Sequence, residues 1–255
     1  MNRPAAIFAL LLASSALAAD APQARFRASR WSSWRVEVVL ERVVKQNDVV
    51  VQAQKTLGAY DLVATRERGG LRVEANNAVV IDDGVHPAAA LAGFALGAWA
   101  PYHVDKHGLF VEMASADVPS GADATMVTSG ARRQWTDLVQ AWNGRTFPAG
   151  HTDRVVEHAE RSVETIEVDI PCGDQTCVRV DQITSFAPTA AQLEGVDLGS
   201  EGTLLGWTDH LRATFEPDGL LPHELASERT VRLSLPSQAA PVERVDRSTR
   251  RFTPN

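Results

Sequence analysis

The chain has 255 residues, with 25 lysines and arginines against 32 aspartates and glutamates, which gives a net charge of −7 at pH 7. This acidic balance repels a phosphate backbone, and it therefore argues against nucleic acid as the partner. The length is sufficient for a substantial hydrophobic core, and we predict a single β-rich domain over residues 20–255.

The first nineteen residues, Met1 to Ala19, predict a secretory signal peptide. Arg3 gives a basic start, residues 7–13 form an apolar run, and Ala16-Leu17-Ala18 matches a small-residue cleavage site. The apolar run is shorter than the roughly 18 residues that a membrane anchor requires. No cysteine stands at the cleavage point to be acylated, and no later segment is long enough to cross a membrane. We therefore expect a soluble product in the periplasm or outside the cell.

The N-terminal third predicts an antiparallel meander of β-strands. Apolar and charged residues alternate over residues 36–41 and again over residues 71–75. Turn sequences follow or precede these runs at Gln46-Asn47-Asp48 and at residues 66–70.

The segment from Ala88 to Trp99 interrupts this alternation and predicts a short helix. It is almost wholly apolar, rich in alanine, and bounded by Pro87 and Pro101. We expect it to pack closely on the sheet, and a lid over an apolar cavity is the alternative interpretation.

A second helix is predicted on stronger grounds. Ser129 can cap its start, and Asn143-Gly144 gives the expected stop. Its apolar residues recur at the spacing of one helical face and include two tryptophans that should anchor it on the sheet. These residues are Trp135, Leu138, Val139 and Trp142.

The C-terminal half again predicts strands. Alternation recurs around residues 166–170, 178–181, 210–216 and 231–235, and Pro217-Asp218-Gly219 is a turn sequence. The tail from residue 243 to residue 252 predicts a last strand with a solvated basic side, formed by Arg244, Arg247, Arg250 and Arg251. Together these patterns predict an α+β fold, with a large curved antiparallel sheet, as far as a half-barrel, and two main helices packed on it.

The two cysteines of the chain, Cys172 and Cys177, are close in sequence. In an oxidising, exported setting such a pair most economically forms a disulfide, here across one hairpin turn. A redox-active pair is the competing interpretation, but redox motifs usually hold two residues between the cysteines and begin a helix. Here four residues intervene and the flanking sequence is typical of strands.

Three polar residues are the best candidates for a metal site. His103, Asp105 and His107 would project from one face of an extended strand, and imidazole with carboxylate is a competent ligand set. Asp105-Lys106-His107-Gly108, however, is also typical of a tight turn, which would direct His107 away from the other two. We therefore predict a solvated hairpin tip and keep the metal site as an alternative.

No catalytic motif stands out in the sequence. It contains no Gly-x-Ser-x-Gly elbow, no Ser-x-x-Lys, no His-Glu-x-x-His and no glycine-rich phosphate loop. We assign no catalytic residue and predict no cofactor.

The stretch from Trp135 to Gly144, followed by the Cys172 to Cys177 loop and Val178-Arg179-Val180, resembles exported β-rich bacterial proteins that have no assigned function. The resemblance implies export and a sheet-rich fold, and it implies no catalytic residues. The overall plan is also similar to that of periplasmic carriers that hold a lipid in a half-open barrel, a likeness of architecture alone.

The sequence thus favours a non-catalytic exported protein that binds an apolar small molecule or an envelope partner. A metal-dependent hydrolase using His103, Asp105 and His107 is one alternative, and a structural envelope component is another.

Overall fold

The computed structural model describes residues 21–81, 101–111, 113, 118, 123–156, 160–187, 203–235 and 240–255. The signal peptide predicted for Met1 to Ala19 lies outside the described residues. The same is true of the helix predicted for Ala88 to Trp99.

Long β-strands make up most of the described chain. They are β1 (Arg25–Phe26), β2 (Ser33–Gln46), β3 (Val49–Glu67), β4 (Gly70–Ile81), β5 (Tyr102–Asp105), β6 (Phe110–Val111), β7 (Gly150–Val156), β8 (Glu160–Cys172), β9 (Gln175–Phe186), β10 (Thr203–Glu216), β11 (Asp218–Gly219), β12 (Leu221–Ser234) and β13 (Val242–Pro254). A short 3₁₀ turn spans Ala28–Arg30, helix α1 spans Ala124–Trp135, and a π-helical turn over Thr136–Gln140 extends the helix.

One antiparallel sheet of eleven strands contains almost all of these elements, in the order β6-β5-β4-β3-β2-β13-β12-β10-β9-β8-β7. The C-terminal strand β13 pairs with β2 on one side and β12 on the other, so that it joins the N-terminal strands to the C-terminal ones. The sheet is therefore continuous and is not two sub-sheets. Within the described residues the sheet is also not closed, and the small strands β1 and β11 pair separately, in parallel.

The predicted α+β class is wrong, because the described residues are mostly β-strand and contain one α-helix. The large antiparallel sheet is present, but two main helices packed on it are not found in the described part of the chain. The physical reason is the length of the strands. β2 has fourteen residues and β3 has nineteen, and the two pair along the whole length of β2.

The turns were predicted more accurately than the fold class. Asn47 and Asp48 both have positive φ, at 50° and 62°, and they connect β2 to β3 as the sequence predicts. Asparagine and aspartate tolerate this left-handed conformation better than most residues, which is why the pair favours a hairpin turn.

Helix α1 lies where the second helix was predicted, but it begins earlier. Asp123, and not Ser129, caps it, because the Asp123 Oδ1 accepts a hydrogen bond of 2.8 Å from the backbone N–H of Thr125. The predicted apolar face is buried as expected, and Gly144, with φ of 83°, follows the last turn. No described helix combines the length and the apolar character needed to span a bilayer.

The core lies between the helical segment and one face of the sheet. Trp31 packs with its ring centroid 4.9 Å from that of Trp34 on β2 and 4.9 Å from that of Trp135 on α1. Farther along, Trp142 stacks on Phe215 of β10 at 5.6 Å. Trp135 at the end of α1 and Trp142 just beyond the π-helical turn therefore anchor this segment on the sheet, as the sequence predicts. We call this side of the sheet the helix face.

Candidate functional site

The three residues of the candidate metal site do not converge. The Nδ1 of His103 lies 3.0 Å from Glu67 Oε2, whereas Asp105 Oδ1 accepts backbone hydrogen bonds of 2.8 Å from both His107 and Leu109. Asp105 thereby closes a turn at the tip between β5 and β6. The ligand atoms of the three residues form no group within 4.8 Å of one another in the described chain. Asp105, Lys106, His107 and Gly108 thus form the turn between β5 and β6, and the three candidate ligands point to different partners there.

The predicted disulfide is confirmed. Cys172 and Cys177 are bonded, with their Cα atoms 5.9 Å apart, at the tip of the hairpin formed by β8 and β9. The bond closes a loop of six residues between two strands that are already paired.

We expect the double variant Cys172→Ser, Cys177→Ser to fold but to lose about 2 kcal/mol of unfolding free energy, because the short loop gains conformational freedom in the unfolded chain. Urea unfolding of the variant and of the oxidised protein measures the difference. A variant as stable as the wild type would show that the hairpin pairing alone restricts the loop.

A histidine and a buried carboxylate lie beside this disulfide. One ring nitrogen of His223 and the two sulfur atoms all lie within 4.8 Å of one another. The Nε2 of His223 is 3.3 Å from Glu216 Oε1, and Arg30 Nη2 donates to the other oxygen of Glu216 at 2.7 Å. Glu216 is only 8% exposed, so these two partners compensate its burial.

A concavity lies on the helix face, beside α1. It has a volume of about 540 Å³, and we call it the helix-face cleft. β2, β3, β12 and β13 form its floor and Arg133 of α1 lies at its side. Residues two apart along a strand share a face. Leu40 and Arg42 therefore lie on the same side of β2 as the buried Val36 and Val38. The cleft therefore continues the core side of the sheet past the end of the aromatic packing.

Charged groups dominate the lining of the helix-face cleft. Arg42, Arg133, Arg229, Arg244 and Asp246 lie on its side of the sheet, and Glu41 and Arg247 border it from strand positions that belong to the opposite face. Asp246 is shared between two of the arginines, with Arg42 Nε at 2.6 Å from its Oδ1 and Arg244 Nε at 2.9 Å from its Oδ2. Arg229 contacts Asp209 more loosely, at 3.6 Å through Nε. Each guanidinium carries five N–H donors, and an Nε contact uses one of them.

Arg133 of α1 brings a further positive charge to the end of the cleft nearest the helix. Burial raises the pKa of the Asp137 carboxyl, and the positive charges of Arg133 and Arg250 oppose that rise. Arginine does not release its proton in proteins, so these side chains keep their positive charge. The cleft is therefore suited to hold a negatively charged group.

The opposite face of the sheet carries cross-strand ion pairs, of which the pair at Asp181 is the best connected. His210 Nε2 lies 2.7 Å from Asp181 Oδ1, and Arg212 Nε donates to Oδ2 at 2.8 Å. Burial alone would raise the pKa of Asp181, but the hydrogen bonds from Arg212 and His210 outweigh it and hold this pKa below its ordinary value.

Because the pKa of Asp181 is lower in the folded protein, its carboxylate stabilises the fold above the ordinary aspartate range, and this stabilisation is lost as pH falls through the folded pKa. We expect Asp181→Asn to lower the unfolding free energy by about 1 kcal/mol at neutral pH. The difference should shrink in acid, as measured by urea unfolding at both pH values. An equal deficit at both would assign the effect to packing.

The family models and the curated proteins with which the chain was compared include no match to it.

The structure places the basic residues of β13 differently from the sequence prediction. Arg244, Arg247, Arg250 and Arg251 predicted one solvated side of a strand, but the structure divides them between two faces of β13. Arg244 and Asp246 share the helix face with the buried Phe252, whereas Arg247 and Arg251 lie opposite. Residues an even number apart share a face of a strand, so the numbering alone separates positions 244 and 250 from positions 247 and 251.

Proposed function

We propose that this protein is an exported, non-catalytic binding protein that holds a small organic anion in the helix-face cleft. The observation that carries the proposal is the excess of arginines over carboxylates in this cleft, in a chain whose overall charge is −7. A local positive site in an acidic protein attracts anions selectively, because the surrounding surface repels them.

The size and the uncharged lining of the cleft define the ligand further. Its volume of about 540 Å³ falls within the range of small-molecule sites. Leu40 and Val231 supply apolar contact, and Thr56, Ser227 and Ser248 supply hydroxyl groups. These groups fit a ligand with a carboxylate, phosphate or sulfate at one end and a short aliphatic part at the other. The expectation of an apolar ligand is thereby narrowed to an amphiphilic anion.

Two observations support the exported location. The Cys172–Cys177 disulfide is typical of proteins that leave the reducing cytoplasm. The residues from Met1 to Ala19 have the layout of a secretory leader. The resemblance to exported β-rich proteins agrees with both.

The two alternative functions predicted from the sequence each require an arrangement that differs from the proposed one. A hydrolase built on His103, Asp105 and His107 needs these side chains to converge on one metal, and no contact in the described structure favours that arrangement. A structural envelope component needs a stable partner and no cleft ligand, and the experiment below separates it from the proposed function.

Paired titrations with octanoate and octan-1-ol test the proposal, because the two probes share a chain and differ in charge. We expect the anion to bind about tenfold more tightly or better, since a hydrogen bond to a charged group contributes roughly 1.5 kcal/mol or more. The double variant Arg229→Gln, Arg244→Gln should weaken octanoate binding by a similar factor. Native mass spectrometry of the exported wild-type protein should also detect an anionic ligand.

Arg251→Gln provides the matched control. Arg251 lies on the opposite face of the same strand, 3.5 Å from Glu224, and its side chain is 69% exposed. Its replacement should leave octanoate binding unchanged. Equal binding of the acid and the alcohol, or equal losses in the control and the double variant, would overturn the proposal. A crosslinked partner with no bound small molecule would favour the structural role.

A further inference from the structure

We propose that the tip of the β8–β9 hairpin is a zinc site that forms when the Cys172–Cys177 disulfide is reduced, with the two thiolates and His223 as ligands. The inference is independent of the helix-face cleft. It starts from a coincidence of three ligand types, since two sulfur atoms and an imidazole nitrogen already lie within 4.8 Å of one another.

The backbone directs these side chains to one place through two irregularities. In β12, Thr214 pairs with Glu224 and Phe215 pairs with Pro222, so that His223 is an extra residue at a β-bulge. In β8 the register shifts between Glu167 and Ile170, just before the cysteine hairpin. Bulges re-aim side chains and often occur beside functional sites.

Glu216 supplies the orienting partner that a zinc-bound histidine usually has. Its Oε1 lies 3.3 Å from His223 Nε2, and Arg30 holds its Oε2 at 2.7 Å. A carboxylate that hydrogen-bonds the ring fixes the imidazole orientation and increases its basicity as a ligand. Because Arg30 occupies the second oxygen, we assign Glu216 this positioning role and do not count it among the ligands.

The ligand set and its surroundings suit zinc. Thiolate and imidazole are its preferred ligands, and three protein ligands leave the fourth tetrahedral position for water. Cys177 is fully buried, while Cys172 and His223 are partly exposed, so that an ion has access from one side. Cys172 is the last residue of β8 and Cys177 is the third residue of β9, on either side of the turn, where the sulfur atoms can separate once the bond is reduced.

The chemistry balances with a dithiol as the reductant. The dithiol gives two electrons and two protons to the sulfur–sulfur bond, which breaks to yield two thiols, and the dithiol becomes a cyclic disulfide. Zinc binding then releases the two thiol protons to solvent. The oxidised protein has no thiolate to offer, so the oxidation state of the hairpin controls the site.

Cobalt binding tests the inference, because Co²⁺ replaces Zn²⁺ and absorbs strongly when bound to thiolate. The full-length protein is reduced with dithiothreitol, desalted under nitrogen and titrated with Co²⁺. We expect a single site with thiolate-to-cobalt absorption that excess Zn²⁺ abolishes. The oxidised protein should show no such absorption, and neither should the Cys172→Ser, Cys177→Ser variant.

Histidine variants separate the proposed site from adventitious binding to thiols. His223→Ala should weaken Co²⁺ binding about tenfold or more, and Glu216→Gln should weaken it to a smaller extent. His210→Ala is the matched control, because His210 also pairs with a carboxylate but lies away from the cysteines, and it should have no effect. Equal affinity in His223→Ala and wild type would overturn the inference. So would unfolding of the reduced protein in the presence of Zn²⁺, since the site requires the folded pairing of β10 and β12.

Discussion

Replacing Trp135 with alanine is expected to lower the unfolding free energy by about 3–5 kcal/mol, the range for removing a large aromatic side chain from a core. Trp135 is fully buried and contacts the rings of Phe26, Trp31 and Tyr102. Its Nε1 also donates a hydrogen bond of 2.8 Å to the backbone oxygen of Gly108. The variant therefore leaves both a cavity and an unpaired carbonyl. Urea unfolding followed by far-ultraviolet circular dichroism measures the loss.

Trp207→Ala provides the matched control for this prediction. Trp207 lies on β10 and stacks on Phe186 at 6.2 Å, but it is only partly buried and lies outside the main core cluster. We expect it to lose less than about 2 kcal/mol, because part of its surface is already in contact with water. If both variants lost the same free energy, the helix would not depend on Trp135 as its principal anchor.

Gly70→Ala is expected to destabilise the fold by about 3 kcal/mol, at the upper end of the range for overpacking. A Cβ at this position would lie 1.8 Å from the backbone oxygen of Val104 and 2.9 Å from the Cα of Asp105. Both contacts are with backbone, so no side chain can rotate away to relieve them. Strand β5, which pairs with β4 at this residue, would have to move. Urea unfolding and amide hydrogen exchange of β5 measure the effect.

Gly58→Ala makes the same change in a neighbouring strand at a more open position. Its Cβ would lie 3.2 Å from the backbone oxygen of Val79, which a shift of a few tenths of an ångström relieves. We expect a change within about 1 kcal/mol. A large loss at Gly58 with a small one at Gly70 would contradict the pairing of β4 with β5.

The disulfide matters to both proposals in different ways. Its expected contribution of about 2 kcal/mol is small beside the 5–15 kcal/mol typical of a folded domain, so that the reduced protein should remain folded. The helix-face cleft lies on other strands, and reduction should therefore leave octanoate binding intact. A negative result for octanoate binding would consequently leave the zinc proposal untouched, and a negative result for metal binding would leave the anion proposal untouched.

Local features were predictable because they depend on neighbours in sequence. The turn at Asn47 and Asp48 follows from the left-handed conformation that these residues tolerate, and the Cys172–Cys177 bond follows from their short separation. The buried apolar face from Trp135 to Trp142 follows from helical spacing alone. The start of the helix was misplaced because Asp123 and Ser129 are both good capping residues, and sequence does not show which one ends the preceding loop.

By itself, then, the sequence determined the acidic charge, the alternating strands, the main turns, the helical face and the cysteine pair. Tertiary structure alone decided that β13 joins the two halves of one sheet. It also decided that Arg42, Arg229 and Arg244 share one cleft, and that His223 lies beside the disulfide. These residues are far apart in sequence, and only the pairing register of distant strands brings them together. That register is set by the packing of whole faces, which no short stretch of sequence contains.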